Sequence, residues 1–469
     1  MFGAVGEYAP VSDPRDWRRA LLVGATRLEV PATARNPVAW PGYEPQQAVS
    51  VLVLARGAVA AVWDFTVFGG SFGEDDATAL VAAAGEAVRR GVPLVTLVRS
   101  GGTRLQEGTA ALVGIPRARL ALLELAEAGL PHLSVADAPT TGGVWISVTS
   151  AADLRCAVDG ATVGFAGPRV VEAVTGVRPD AGRHTAASAH AAGLVDAVLP
   201  AGEVAAWLDR ALDALAPGAG TAGEPRVGEV RTGAPAANSG WAQVVRARAR
   251  TTGGADLLGA LLDSGVPLRA PHGDLTVAAA IGRLGGLPVV GVALAAAVGV
   301  RPTPDGYRLA ARAYRLAGRL GLPVLSLVDT PGAEPSAWSE DDGIAPAMGE
   351  ALDALLTCRS PTVALVHGEG GSGGAVAASA ADLLLVTDDA YFAAIGPEGA
   401  QATLRLPAQQ CADLLRITPA DLLALGVADA LLEHASDVAP HVVRLAAVPA
   451  VERLARRRSR WSQPVSGRL

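Results

Sequence analysis

The residues best suited to chemistry in this chain are backbone groups at two glycine-rich turns. Gly101-Gly102 follows the apolar run VPLVTLV at 92–98. Gly373, Gly374 and Ala375 follow the strand-like run TVALVH at 362–367. A strand that ends in glycines and turns into a helix leaves N–H groups uncovered by side chains. With the positive end of the helix dipole, such amides form a site for an oxyanion. Loss of an α-proton or an α-carboxylate from a thioester creates one, and a single well-placed donor stabilises it by roughly 2.7–4 kcal/mol. A lone Gly-Gly is far more often just a tight turn, and the second loop also reads as a turn or a phosphate loop. The phosphate reading weakens because a P-loop needs lysine, and all 39 basic residues here are arginine.

The absence of lysine also excludes self-biotinylation and Schiff-base chemistry. Cys156, Cys358 and Cys411 are far apart with no CxxC pair, which excludes a zinc ribbon and gives no disulfide framework. His184 and His190 lack metal spacing, so no metal is expected. Among the other polar residues, His367 beside the second loop reads as packing or a substrate contact. Asp341-Asp342 reads as a solvated loop. Glu107 reads as a capping group rather than a general base. Arg104 reads as either a phosphate ligand or a helix salt bridge. The arginines at 456, 457, 458 and 460 read as a solvated helix end.

These turns need elements to hold them, and the chain supplies the elements twice. LPHLSVADAPTTGGVWISVTSAADL (130–154) is answered by SPTVALVHGEGGSGGAVAASAADL (360–383). Gly101 to Gly142 is 41 residues, as is Gly332 to Gly373, and Gly167-Pro168 precedes Gly396-Pro397 by 229. Each copy reads as short apolar strands, glycine turns and Ala/Leu helices. The segment 76–91, for example, places Leu80, Ala83, Ala84 and Ala87 on one face and stops at Arg-Arg-Gly. The expectation is an α/β chain of two tandem ββα-spiral domains, 1–216 and 241–469, with a Gly/Pro/Ala-rich linker at 217–240. Half of the 469 residues are hydrophobic and the net charge is -7, so two sizeable cores are expected and general nucleic-acid binding is not. No apolar run has spanning length and no signal pattern opens the chain, so a cytoplasmic protein off the membrane is expected.

Specific motifs sharpen this reading. Asp64-Phe65-Thr66-Val67-Phe68-Gly69-Gly70, SGGTRLQEG (100–108), PTTGGVWIS (139–147) and FAGPRVVEAVTG (165–176) resemble the N-terminal half of biotin-dependent acyl-CoA carboxyltransferases. DTPGAEPSAWSEDDGI (329–344), HGEGGSGGA (367–375) and IGPEGA (395–400) resemble the C-terminal half. The order is that of an acetyl-CoA carboxylase β-type unit followed by an α-type unit, over residues 45–430. The resemblance implies two crotonase-like domains. It implies CoA-thioester binding by the first half, around Phe68, Gly69, Gly70, Thr103, Arg104, Gly142, Gly143, Gly167, Pro168 and Arg169. An enolate would rest on the Gly101-Gly102 amides. The amides at Gly373, Gly374 and Ala375, near Gly332, Ala333, Glu334, Gly396 and Pro397, would face biotin carried on another protein. It further implies that carboxybiotin releases CO2 and the biotin enolate takes the substrate α-proton. Partners would be an acyl-CoA or acyl carrier protein thioester, a biotin carrier protein, a biotin carboxylase, and further copies of the chain as a dimer or trimer of dimers.

The chain also departs from the family. Thr103 replaces the usual alanine, and Glu334 and Ser336 stand where an aromatic or apolar residue and a glycine are usual. The basic stretch of an α-type unit is missing before DGYRLAARAYRLAG. Carboxyl transfer is the leading expectation, ahead of biotin-independent decarboxylation of a malonyl-type thioester and of a non-catalytic scaffold.

Overall fold

Short β-rich runs closed by turns become strands, and the Ala/Leu segments between them become helices. The computed structural model describes residues 4–7, 17–33, 35–218, 220 and 239–463. The chain divides into two units, Met1–Leu212 and Asp213–Leu469. Of the expected linker at 217–240, residues 219 and 221–238 lie outside the described residues, and Gly240 already begins a helix.

In the first unit the strands are β1 (Ala4–Glu7), β2 (Thr26–Leu28), β3 (Val49–Leu54), β4 (Ala58–Trp63), β5 (Leu94–Ser100), β6 (His132–Thr141), β7 (Leu154–Val158), β8 (Val163–Gly164) and β9 (Ala197–Leu199). They form one sheet in the order β1-β2-β3-β4-β5-β6-β7-β9, with β8 joined to the end of β6. The first four pair antiparallel, and from β4 onward the pairing is parallel. Helix α1 (Glu74–Arg90) shows why the sequence folds this way. Leu80, Ala83, Ala84 and Ala87 are all buried against the sheet. Acids fill its first turn, arginines its last, and Gly91 ends it in a left-handed conformation at φ 66°; each feature favours a helix of that polarity.

The second unit has β10 (Asp263–Leu268), β11 (Val277–Leu284), β12 (Leu287–Leu294), β13 (Val324–Thr330), β14 (Thr362–Gly371), β15 (Leu383–Thr387), β16 (Tyr391–Ala393) and β17 (Ala430–Leu432). Their order is β10-β11-β12-β13-β14-β15-β17, with β16 on the end of β14. Every residue of β13 and β14 is buried, as befits parallel strands covered on both faces.

The duplication is therefore structural, and pairing fixes its register. Ser100 pairs with Thr140, and Thr330 with Gly370, so equivalent residues stand 230 apart. Matching Gly101 and Gly142 to Gly332 and Gly373, which stand 231 residues on, is therefore off by one. Gly142 corresponds to Ser372, and both hold positive φ, 69° and 61°. Sequence matching misled here because a serine occupies the left-handed position and glycines follow it.

The arginine cluster near the end is only partly a solvated face. Helix Ala450–Ser462 buries Arg453 and Arg457. Arg457 bonds Asp382 (Nε–Oδ1 2.6 Å) and the carbonyls of Cys358 (2.6 Å) and Ser360 (3.0 Å). Arg456 and Arg458 stay exposed. No helix among the described residues is long and apolar enough to cross a membrane.

Candidate active site

In the first unit, the loop bearing Phe68, Gly69 and Gly70 lies against the turn after β5. Gly69 O accepts from Gly101 N (2.9 Å), and Arg104 N donates to Phe72 O (3.0 Å). At Gly70, φ 60°, a Cβ would lie 2.0 Å from Arg99 O, so only glycine permits this approach. Gly102 (φ 115°) touches the next turn: a Cβ on Gly142 would lie 3.0 Å from Gly102 Cα. Gly142 N donates to Phe165 O (2.9 Å), which draws in Gly167 and Pro168 at the start of a helix whose Arg169 is exposed.

The amides sort into committed and open ones. Gly101 N is committed to Gly69 O, and Gly102 N to Ser100 Oγ (3.2 Å). The N–H groups of Thr103 and Gly143 donate to no group among the described residues. The open donors of this unit thus lie one residue beyond the expected Gly101-Gly102 pair.

Arg104 is not at the surface. Its guanidinium is fully buried and bonds Asp76 Oδ2 (2.7 Å), Gln46 O (2.6 Å) and Ser71 O (2.5 Å). The expected CoA-phosphate contact gives way to the salt-bridge alternative, because burial keeps this cation from a phosphate in solvent. Burial pushes Asp76 up to about 6 despite Arg104 and three backbone amides. Glu107, also buried, accepts from Tyr43 OH (2.6 Å) and from Glu74 N (2.6 Å). It caps α1, and the capped helix end holds the loop below the turn. Burial, then Glu107, raises the Tyr43 phenol to about 12.

The second unit repeats the arrangement around a cavity of about 800 Å³. Gly332 (φ 133°) follows β13, its N–H held by Thr330 Oγ1 (3.2 Å). Helix α2 (Ser372–Ser379) starts beside it. A Cβ on Gly374 would lie 2.6 Å from Ala333 N and 2.8 Å from Tyr307 OH. The amides of Ala333, Gly373 and Gly374 donate to no group among the described residues. Gly332, Ala333, Glu334, Gly373, Gly374 and Gly396 all line the cavity. Ala375 and Pro397 are buried and do not line it.

Sequence reading missed the cavity's side-chain walls. One wall is apolar, with Ile344, Met348, Leu352 and Val376; the rim carries Arg248, Arg301 and Glu398. Arg248 bridges Glu369 (2.9 Å) and Glu398 (2.6 and 3.0 Å), and its hydrogen bond holds the Glu398 carboxyl below its ordinary value. The helical spacing of Ile344, Met348 and Leu352 was a readable signal. His367 does not line the cavity. It is buried beside Arg250 (3.1 Å), and burial, aided by that charge, lowers it to about 3.

Comparison with known proteins bears on the whole arrangement. Residues 55–229 match the family described as "Carboxyl transferase domain", and residues 294–462 "Acetyl co-enzyme A carboxylase carboxyltransferase-like". The acetyl-coenzyme A carboxylase carboxyl transferase subunits beta/alpha of Salinispora arenicola are 38% identical over 418 residues, covering 83% of this chain and 73% of the relative. A probable biotin-dependent acyl-coenzyme A carboxylase beta3 subunit of Mycobacterium tuberculosis is 33% identical over 437 residues, 87% of each. A crystal structure of transcarboxylase 12S with methylmalonyl-coenzyme A and methylmalonic acid bound has a TM-score of 0.72 at 22% identity, covering 97% of this chain and 87% of that one. The fold of two tandem crotonase-like domains follows.

Proposed function

The chain belongs to the carboxyltransferase family of acyl-CoA carboxylases, and from that premise we propose that it moves a carboxyl group to or from the α-carbon of a CoA thioester. The observation that carries the mechanism is the repeated pair of open amides. Thr103 and Gly143 in one unit correspond to Ala333 and Gly373 in the other, 230 residues on.

In the first unit, expected at 1–216, the Thr103 and Gly143 amides receive the thioester oxygen as negative charge grows on it. Backbone donors fixed before reaction stabilise that charge without reorganising. Gly102 and Gly142 keep the two donors close, and Phe68, exposed at the loop tip, borders the thioester side. Glu107 is held inside by Tyr43 and Glu74 N, so the α-proton goes to a bound reactant rather than to this carboxylate.

In the second unit, expected at 241–469, the Ala333, Gly373 and Gly374 amides polarise the carbonyl of the carboxyl donor. Biotin supplied by a carrier protein would bring the carboxyl group as an activated carbamate. The site suits such a ring: the cavity is roomy, one wall is apolar, and amide donors line its rim. A partner biotin carrier, a biotin carboxylase and self-assembly into a dimer or trimer of dimers complete the proposal.

The test supplies purified protein with malonyl-CoA and biotin methyl ester. Carboxyl transfer to the ester, dependent on protein, is the expected result. CO2 release from malonyl-CoA that ignores the ester would replace transfer with decarboxylation. No turnover of either kind would leave the scaffold reading.

A further inference from the structure

Two arginines line the second unit's cavity, and only one is committed. Arg248 is neutralised by Glu369 and Glu398. Arg301 is exposed at the rim, and its guanidinium makes one long contact, Nη1 to Ala333 O at 3.4 Å. No described carboxylate lies within ion-pair distance of it. Of the nearby acids, Glu334 accepts from Ser336 N (3.2 Å), Glu340 is exposed at the rim, and Glu398 is hydrogen-bonded by Arg248 and feels the charge of Arg301 only through space, with no ion pair between them.

Its place is nevertheless built. Val300 O accepts from Thr330 Oγ1 (3.3 Å) and Pro302 O from Glu334 N (3.0 Å), so both neighbours are tied to the turn after β13. Nη1 lies 3.3 Å from where a Cβ on Gly332 would stand. The first unit shows what is unusual. Glu334 N to Pro302 O repeats Arg104 N to Phe72 O at the 230-residue register, so Arg301 stands where Ser71 stands and Glu334 where Arg104 stands. There the cation is buried under the turn; here it comes from the facing segment and is displayed to the cavity.

We infer that Arg301 determines specificity by holding the carboxylate of the group in transfer beside the open Ala333 and Gly373 amides. The inference rests on the carboxyl-transfer reading above. A planar guanidinium with unused donors suits a carboxylate, and the other arginine of the cavity, Arg248, already has its charge met by Glu369 and Glu398. Arg301 stays protonated, and no bond to it forms or breaks. The carboxylate belongs either to a dicarboxylic thioester or to the carboxylated ureido donor.

Wild type, Arg301→Gln and Arg301→Lys decide the matter, with thermal melts expected to coincide. If the thioester carries the carboxylate, Arg301→Gln weakens calorimetric binding of malonyl-CoA roughly 10- to 100-fold and leaves acetyl-CoA unchanged, with Lys recovering part. If the donor carries it, malonyl-CoA affinity holds, and kcat for carboxylating biotin methyl ester falls by a similar factor at constant KM, because the ester gains its carboxylate only on transfer. Malonyl-CoA affinity and transfer kcat both within twofold of wild type overturn the inference. A wild type that carboxylates no ester overturns the transfer reading instead, and the binding comparison then decides Arg301 alone.

Discussion

At the scale of single residues, the chemistry rests on backbone donors and on the glycines that let them approach. A methyl group at Gly374 would press on Ala333 N and Tyr307 OH, so the turn must open. Gly374→Ala is expected to lower kcat by about 10²–10³, the usual loss when one oxyanion donor is misplaced. Steady-state kinetics beside a thermal melt separates this from unfolding, and unchanged kcat would remove Gly374 from the mechanism. His367 illustrates the opposite case, a polar residue next to the site that does no proton work. With its pKa lowered to about 3, it is expected to keep constant ring chemical shifts from pH 5 to 8. A titration midpoint near 6.5 would return it to the list of candidate acids and bases.

At the scale of elements, buried charge pairs decide how the turns are held. Asp76 binds its proton more tightly folded, at about 6, than at its ordinary 3.8. Its contribution is therefore fully present below pH 4 and declines as pH rises through 6. Between those values the native state holds more protons than the unfolded one. Urea unfolding of wild type against Asp76→Asn should show a pH 4–6 loss on the order of 2–3 kcal/mol in the wild type that the variant lacks. Arg104→Met, which strands Asp76 without its cation, is expected to cost about 3–5 kcal/mol, read from the same denaturation. The elements themselves were legible: α1 follows its buried stripe and its end charges, and the parallel strands follow their apolar runs. What remained hidden was direction. Nothing in SGGTRLQEG tells whether Arg104 turns outward to a phosphate or inward to Asp76, because Asp76 and Gln46 arrive from 28 and 58 residues away. Likewise Ser372 hid the register, since its left-handed backbone is fixed by β14 ending against the turn after β13 rather than by its own propensity.

At the scale of the whole molecule, composition meets the chemistry of its proposed substrates. Acyl thioesters acylate amines and thiolates, and a protein that binds them exposes its own nucleophiles to them. This chain has no lysine, so no side-chain amine is available. Its three thiols are buried; burial raises Cys156 to about 12 and also raises Cys358. A thiol so shifted is almost wholly protonated near neutral pH, and the thiolate is the reactive form. Prolonged incubation with excess malonyl-CoA at pH 8 should therefore leave every side chain unmodified by intact-mass and peptide analysis. Control proteins rich in exposed lysine should accumulate adducts under the same conditions. An acyl group found on Cys156 or Cys358 would mean that a unit opens far enough to ionise its core thiol, and local unfolding would then have to enter any account of how these cores hold the two turns.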